Sequence, residues 1–277
     1  MGVLIDLFFV FVVFIILFTI AMSIFTSPVL ALLYLDRTHR LQKLVYWAGA
    51  HEAGIEYLID RQHPFFRSLN DVQRKEFLWR VYYFIKTTDI IVKFKGDRKK
   101  IRTTIGFAAA QISLGLTMKS FTQYGKVIVY ENDYYSQINM RYHKGEVNPG
   151  AGIIVFSWSA VLYGLSKNND GINLLIHEFA HALRLEHKMR NGQYSVFDDD
   201  RFEEVEKDGA VELENIRVNH HHFFRKYATT NIDEFFAIAS ENFFERPLEF
   251  KENFPKLYEL FKNLYNQDPL NRLILNP

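Results

Sequence analysis

His177-Glu178-Phe179-Ala180-His181, preceded by Leu174-Leu175-Ile176 and followed by Ala182-Leu183-Arg184-Leu185, is the stretch that decides the fold. Four residues turn a helix through about 400°, so the two imidazoles lie about 40° apart and one turn along the axis. They form a pincer for a metal ion. The apolar residues around them cover most of the helix circumference, which predicts a buried helix, with Asp170 expected as its N-cap. Two buried histidines and a buried carboxylate are costly unless hydrogen bonds or a metal satisfy them, and one zinc ion satisfies all three. Catalytic zinc keeps one position open for water and lowers its pKa towards about 7, and Glu178 would take the proton as that water attacks a carbonyl. The pattern therefore predicts a zinc metallopeptidase. The competing reading is a hydrogen-bonded pair of core histidines.

Two candidates exist for the third protein ligand. His187 stands at the last position of the metzincin spacing H-E-x-x-H-x-x-G-x-x-H. That arrangement needs a glycine to end the helix, and here the position is Arg184, a good helix former. If the helix continues, His187 lies about 240° around from His181 and faces away. Met189 is also too close to supply the methionine turn of a metzincin. Glu234, in Tyr227-Ala-Thr-Thr-Asn231-Ile-Asp-Glu234-Phe-Phe-Ala-Ile-Ala-Ser-Glu241, is the better candidate, because a second buried helix supplying one inward glutamate completes a site of two His and one carboxylate. Asn231 and Glu234 also have capping-box spacing, so the same glutamate could serve only its own helix start.

These residues carry a resemblance. His177-Glu178-Phe179-Ala180-His181 and Tyr227 to Ala237, with a looser match from His63-Pro64 through Ala109-Ala110-Gln111 to Val127-Tyr130, resemble the Mlc titration factor A family of zinc peptidases. The catalytic part of that family is similar in turn to the metalloprotease domain of anthrax lethal factor. The resemblance spans about residues 60 to 267. It implies that His177, His181 and Glu234 hold Zn2+, one per chain, with Glu178 as general base. It also implies a catalytic role for Tyr227, whose hydroxyl would ligate zinc at rest or stabilise the tetrahedral oxyanion. Without the resemblance, a tyrosine just before a helix reads as a packing residue. Glu241, two turns after Glu234, reads as a partner orienting a histidine or as a surface carboxylate. The segment Ala182 to His187 departs from the Lys-Leu-Asp that often follows in the family.

The chain has 277 residues, 48% of them hydrophobic and 16% aromatic, enough for one sizeable core. Its 33 basic and 32 acidic residues leave a net charge of +1, which gives no electrostatic reason to invoke nucleic acid. The basic cluster Lys93, Lys95, Arg98, Lys99, Lys100 and Arg102 reads as a solvated loop and helix start. Cysteine is absent, which excludes disulfides and thiolate ligands.

From Leu7 to Leu35 no residue is charged, long enough to span a bilayer. A cleaved signal peptide fits less well, because the apolar run is too long and Asp6 stands where positive charge is expected. The expectation is an uncleaved, single-pass anchor in the cell membrane. Arg37, Arg40 and Lys43 follow the span, which places the following domain in the cytoplasm by the positive-inside rule.

The expected organisation is an anchor at 1–35, a juxtamembrane helix or linker at 36–60, and a zinc metallopeptidase domain at 61–277. The fold class is α+β: a mostly helical zincin-type domain with a small β-sheet, preceded by one transmembrane helix. Asn70 and Gln73 open a helix carrying Phe77, Leu78, Val81, Phe84 and Ile85; another covers 98–114. Ile90–Phe94, Lys126–Tyr130 and Gly152–Trp158 read as strands. The last of these is the candidate edge strand for pairing with a substrate backbone, although its continuous apolar character suits a central strand as well. Beyond Asp170 a polar loop near 188–208 and helices near 209–225, around Glu234 and from Pro255 are expected. His51-Glu52 lacks a second histidine at the required spacing. The His220-His221-His222 run receives no catalytic role.

Two function classes follow. One is a peptidase acting on a peptide or protein substrate near the membrane. The other is a regulatory protein, because the resemblance implies members that sequester a transcriptional repressor.

Overall fold

The computed structural model describes residues 11–19, 22, 49, 54–62, 64–117, 120–136, 140–167, 170–190, 195–219, 223–271 and 273–274. The chain divides into two units, residues 1–48 and 49–277. In the first, residues 11–19 are helical and expose apolar side chains such as Phe11, Phe14 and Phe18. No helix among the described residues is long and apolar enough to cross a membrane. Most of the expected span from Leu7 to Leu35, and most of the expected linker with His51-Glu52, lie outside the described residues.

The second unit is mostly helical with a small mixed sheet. Short helices α1 (Ile55–Gln62) and α2 (Pro64–Ser68) precede α3 (Asp71–Thr87). The α3 start is a complete capping box: Asn70 accepts from the Gln73 N–H and Gln73 accepts from that of Asn70. Strand β1 (Asp89–Val92) leads into α4 (Arg98–Ser113), which is mostly buried from Ile101 onward, and then into β2 (Lys126–Tyr130). A small hairpin, β3 (Tyr134–Ser136) and β4 (Arg141–His143), comes before β5 (Gly145–Asn148) and β6 (Ile153–Ser157). The sheet order is β1-β2-β6-β5, with β5 alone antiparallel.

This order corrects the expected edge strand. Residues 153–157 are flanked on both sides, and Ile154, Val155 and Phe156 are buried, as a continuous apolar strand requires. The edges are β1 and β5, and β5, every residue of which is half-buried, is the one that reaches Glu178.

Helices α5 (Trp158–Ser166) and α6 (Leu174–Met189) follow. The cap of α6 is Asn173, which accepts from the Ile176 N–H at 3.1 Å, and not Asp170 as expected. Asp170 instead accepts from Ile172 in the turn before it. A second correction concerns α7 (Asp199–Asn219), which begins inside the expected polar loop and ends before 225. Its first half is dense in charge, yet Phe202, Val205, Leu213 and Ile216 are buried at helical spacing along one stripe. A 3-10 turn (Lys226–Thr229) leads to α8 (Ile232–Glu245). The unexpected α9 (Pro247–Asn253) and the expected α10 (Pro255–Tyr265) close the domain. Both begin with proline, whose missing N–H costs nothing at a first helical position.

The core places α6 between α4 and α8. Phe179, fully buried, points from α6 into Phe84, Phe121 and Phe156, with ring centroids 4.9–5.6 Å away. The residues on either side of it, Glu178 and Ala180, are therefore fixed in azimuth by core packing.

Candidate metal centre

Three side chains from two helices converge. Nε2 of His181 lies 3.2 Å from Nε2 of His177, and their rings stand at 82°. From Glu234 on α8, Oε2 lies 3.3 Å from His177 Nε2 and Oε1 lies 3.7 Å from His181 Nε2. Among the described residues this is the group that could hold a metal ion. Tetrahedral donors about 2.0–2.2 Å from one zinc ion are about 3.3–3.6 Å apart, so the observed spacings suit that ion. Glu234 Oε2 is also buried with no hydrogen-bond partner, an arrangement a cation would relieve. The donors fit a divalent metal.

The cap of α8 resolves the two readings of Glu234. Its N–H donates to Asn231 Oδ1 at 2.9 Å, but its carboxylate turns to the histidines, so only half of a capping box forms. His187 belongs elsewhere: it lies on the far side of α6, 4.0 Å from the Phe202 ring and 3.8 Å from Asp199. The metzincin-type third histidine is thereby excluded. Asp199 and Phe202 belong to α7, so the histidine packs between helices.

Glu241 is fully buried and works as a hub. It accepts from Nδ1 of His177 at 2.7 Å, from the backbone N–H of Asn173 at 2.7 Å, and from the Arg225 guanidinium. One carboxylate thus ties the start of α6, the first histidine ring and the segment leading to Tyr227. An Nδ1–H donated to Glu241 leaves Nε2 free to bind a metal. Arg184, only 1% exposed, makes a forked pair with Glu206 of α7 at 2.9 and 2.8 Å and a further pair with Asp233, next to Glu234. The residue that breaks the metzincin pattern is therefore the clamp between α6, α7 and the first turn of α8.

The electrostatics follow from burial and crowding. Burial alone would lower the His177 pKa, but Glu241, Glu234 and Glu178 outweigh it and raise it to about 10. Burial likewise opposes ionisation of Glu234, yet the two imidazoles hold it well below the usual carboxylate range. The cluster favours positive charge between its members. Burial pushes Glu178 up, against the pull of His177 and His181, which suits a carboxylate that accepts a proton.

Glu178 presses against Gly145 at the start of β5, where an added Cβ would sit 2.6 Å from its Cδ and 2.7 Å from its Cγ. Only glycine admits this approach. Sequence reasoning passed over Gly145, because nothing in its immediate neighbours signals a contact 33 residues away. The Tyr227 hydroxyl reaches the Glu234 carboxylate, and burial followed by the Glu234 charge raises its pKa. Tyr227 itself is 51% exposed, so it borders the cleft and is no core packing residue.

A family model described as glucose-regulated metallo-peptidase M90 matches residues 38–266. The chain belongs to this family. It is similar to Mlc titration factor A of Cronobacter sakazakii, 29% identical over 233 residues that cover 76% of this chain and 86% of that protein. Mlc titration factor A of Yersinia enterocolitica is 30% identical over 193 residues, 62% of this chain and 69% of that one. An uncharacterized Synechocystis protein is 24% identical over 223 residues, covering 75% and 81%. The family inferred from the motifs is the one found.

Proposed function

We propose that this chain is a zinc-dependent peptidase in which His177, His181 and Glu234 hold the metal and Glu178 is the general base. The observation that carries the reading is the set of 3.2, 3.3 and 3.7 Å spacings among the three donors, with a buried carboxylate beside them. A bound zinc ion would supply Lewis acidity to water and to the substrate carbonyl. Glu178 accepts the water proton and returns it to the leaving amine, a task suited to its raised pKa and its fixed seat against Gly145. Tyr227, half-exposed beside Glu234, donates its hydroxyl hydrogen bond to the oxyanion. The substrate backbone pairs with the edge strand β5, whose first residue lies over Glu178.

The uncharged run Leu7 to Leu35 supports a membrane anchor, and the basic residues after it support a cytoplasmic peptidase domain. A second reading rests on the relatives' printed name, Mlc titration factor A: a regulatory role through binding a protein partner. The decisive comparison is hydrolysis of a peptide mixture by the full chain and by Glu178→Gln. The peptidase reading predicts loss of at least about 100-fold in rate with metal retained. Equal rates would remove Glu178 as base, and no hydrolysis by either protein would favour the binding role.

A further inference from the structure

The β3–β4 hairpin sits beside β5, the strand that begins at Gly145. Its register pairs Tyr134 with His143, Tyr135 with Tyr142 and Ser136 with Arg141. Alternation then puts Tyr134, Ser136, Arg141 and His143 on one face and the tyrosine pair on the other. The first face meets β5: the hydroxyls of Tyr134 and Ser136 donate to Glu146 at 2.7 and 3.3 Å. Glu146 adjoins Gly145, the residue against which Glu178 rests. Tyr135 and Tyr142 stay exposed on the opposite face.

Arg141 is exposed on the face that meets β5. Its Nε donates to Nε2 of His143 at 3.1 Å, and among the described residues its guanidinium has no carboxylate partner. Through its accepting Nε2, His143 aims the fork of Arg141. The guanidinium lies near enough to Tyr227 to oppose the upward pKa shift that burial and Glu234 impose there. A cation with unused paired donors therefore stands on the hairpin face that meets β5, the strand whose first residue touches Glu178.

We propose that Arg141, oriented by His143, is a specificity-determining residue that binds a carboxylate of the peptide substrate close to the scissile bond. The guanidinium fork matches a carboxylate through two parallel N–H···O bonds, which an amide cannot replace. The carboxylate comes from an Asp or Glu side chain or from the chain terminus. This inference rests on the peptidase reading of the same site, so its test includes a measurement that needs no turnover.

Full-length Glu178→Gln protein, loaded with zinc, is titrated with matched short peptides: Asp or Glu against Asn or Gln, and free C-terminus against C-terminal amide. One of the two carboxylate sources is expected to bind about 10- to 100-fold tighter than its neutral match, and adding Arg141→Ala abolishes that preference without changing zinc content. Arg141→Glu reverses it. In the Glu178-containing enzyme the same discrimination appears in KM more than in kcat. Equal affinity for acidic and neutral peptides, or a preference that survives Arg141→Ala, overturns the assignment. Failure of the peptidase reading shows separately, as binding without hydrolysis.

Discussion

The carboxylate of Glu241 stands 2.7 Å from Nδ1 of His177, 64 residues away in sequence, and by holding that nitrogen it turns the other one towards His181 and Glu234. The same carboxylate holds the backbone of Asn173, so ring orientation and helix start are set together. Glu241→Gln keeps the shape but removes the charge that favours a donated Nδ1–H. Zinc affinity of the full chain is expected to fall about 10- to 100-fold, measured by competition with a chelating dye. Unchanged affinity would assign Glu241 to fold maintenance alone.

Gly145→Ala places a methyl group where the Glu178 side chain now lies. The carboxylate must shift by roughly 1 Å, which is expected to lower kcat about 10- to 100-fold while zinc binding stays within about twofold. Steady-state kinetics with metal analysis on the same sample separates the two effects.

Arg184→Met breaks the pairs with Glu206 and Asp233 and leaves their charges facing a buried thioether. Stability should fall by about 2–4 kcal/mol in denaturant unfolding. The milder Asp233→Asn, at a half-exposed position, should leave the unfolding midpoint nearly unchanged but weaken zinc binding several-fold, because Glu234 is the next residue.

Glu245 supplies a pH signature. Burial raises its pKa to about 8, helped by Glu241 and Asp170 and opposed by the hydrogen bond from Asn173. The folded state therefore holds its proton more tightly than the unfolded chain does, so its contribution is intact below about pH 4.5 and is lost as pH rises through 8. Glu245→Gln should match the parent in thermal unfolding near pH 5 and exceed it by about 1–2 kcal/mol near pH 9.

The features that a sequence displays well are local ones. The His177–His181 pincer follows from helical periodicity, the α3 start from Asn70 and Gln73, and the α10 start from Pro255, since each depends on neighbours within one turn. Glu234 was legible because a carboxylate in an apolar helix needs a partner. What stayed hidden depends on distance along the chain. Gly145 against Glu178 and Glu206 against Arg184 are contacts made only once the elements pack. The first half of α7 reads as a loop in the sequence because six acidic residues between 198 and 206 mask the stripe begun by Phe202 and Val205. The edge strand was misplaced for a related reason: β6 is apolar because it is central, whereas β5 announces its position only through the pairing order.

Whether His177, His181 and Glu234 hold a metal is decided by the metal content of the purified full chain, by elemental mass spectrometry, beside His181→Ala and Glu234→Ala. About one zinc per chain is expected in the parent and loss in both variants, with binding in the parent weakening as pH falls because protons compete for the histidine nitrogens. A Glu234→Ala protein that retains a full equivalent of zinc with unaltered affinity would contradict this expectation.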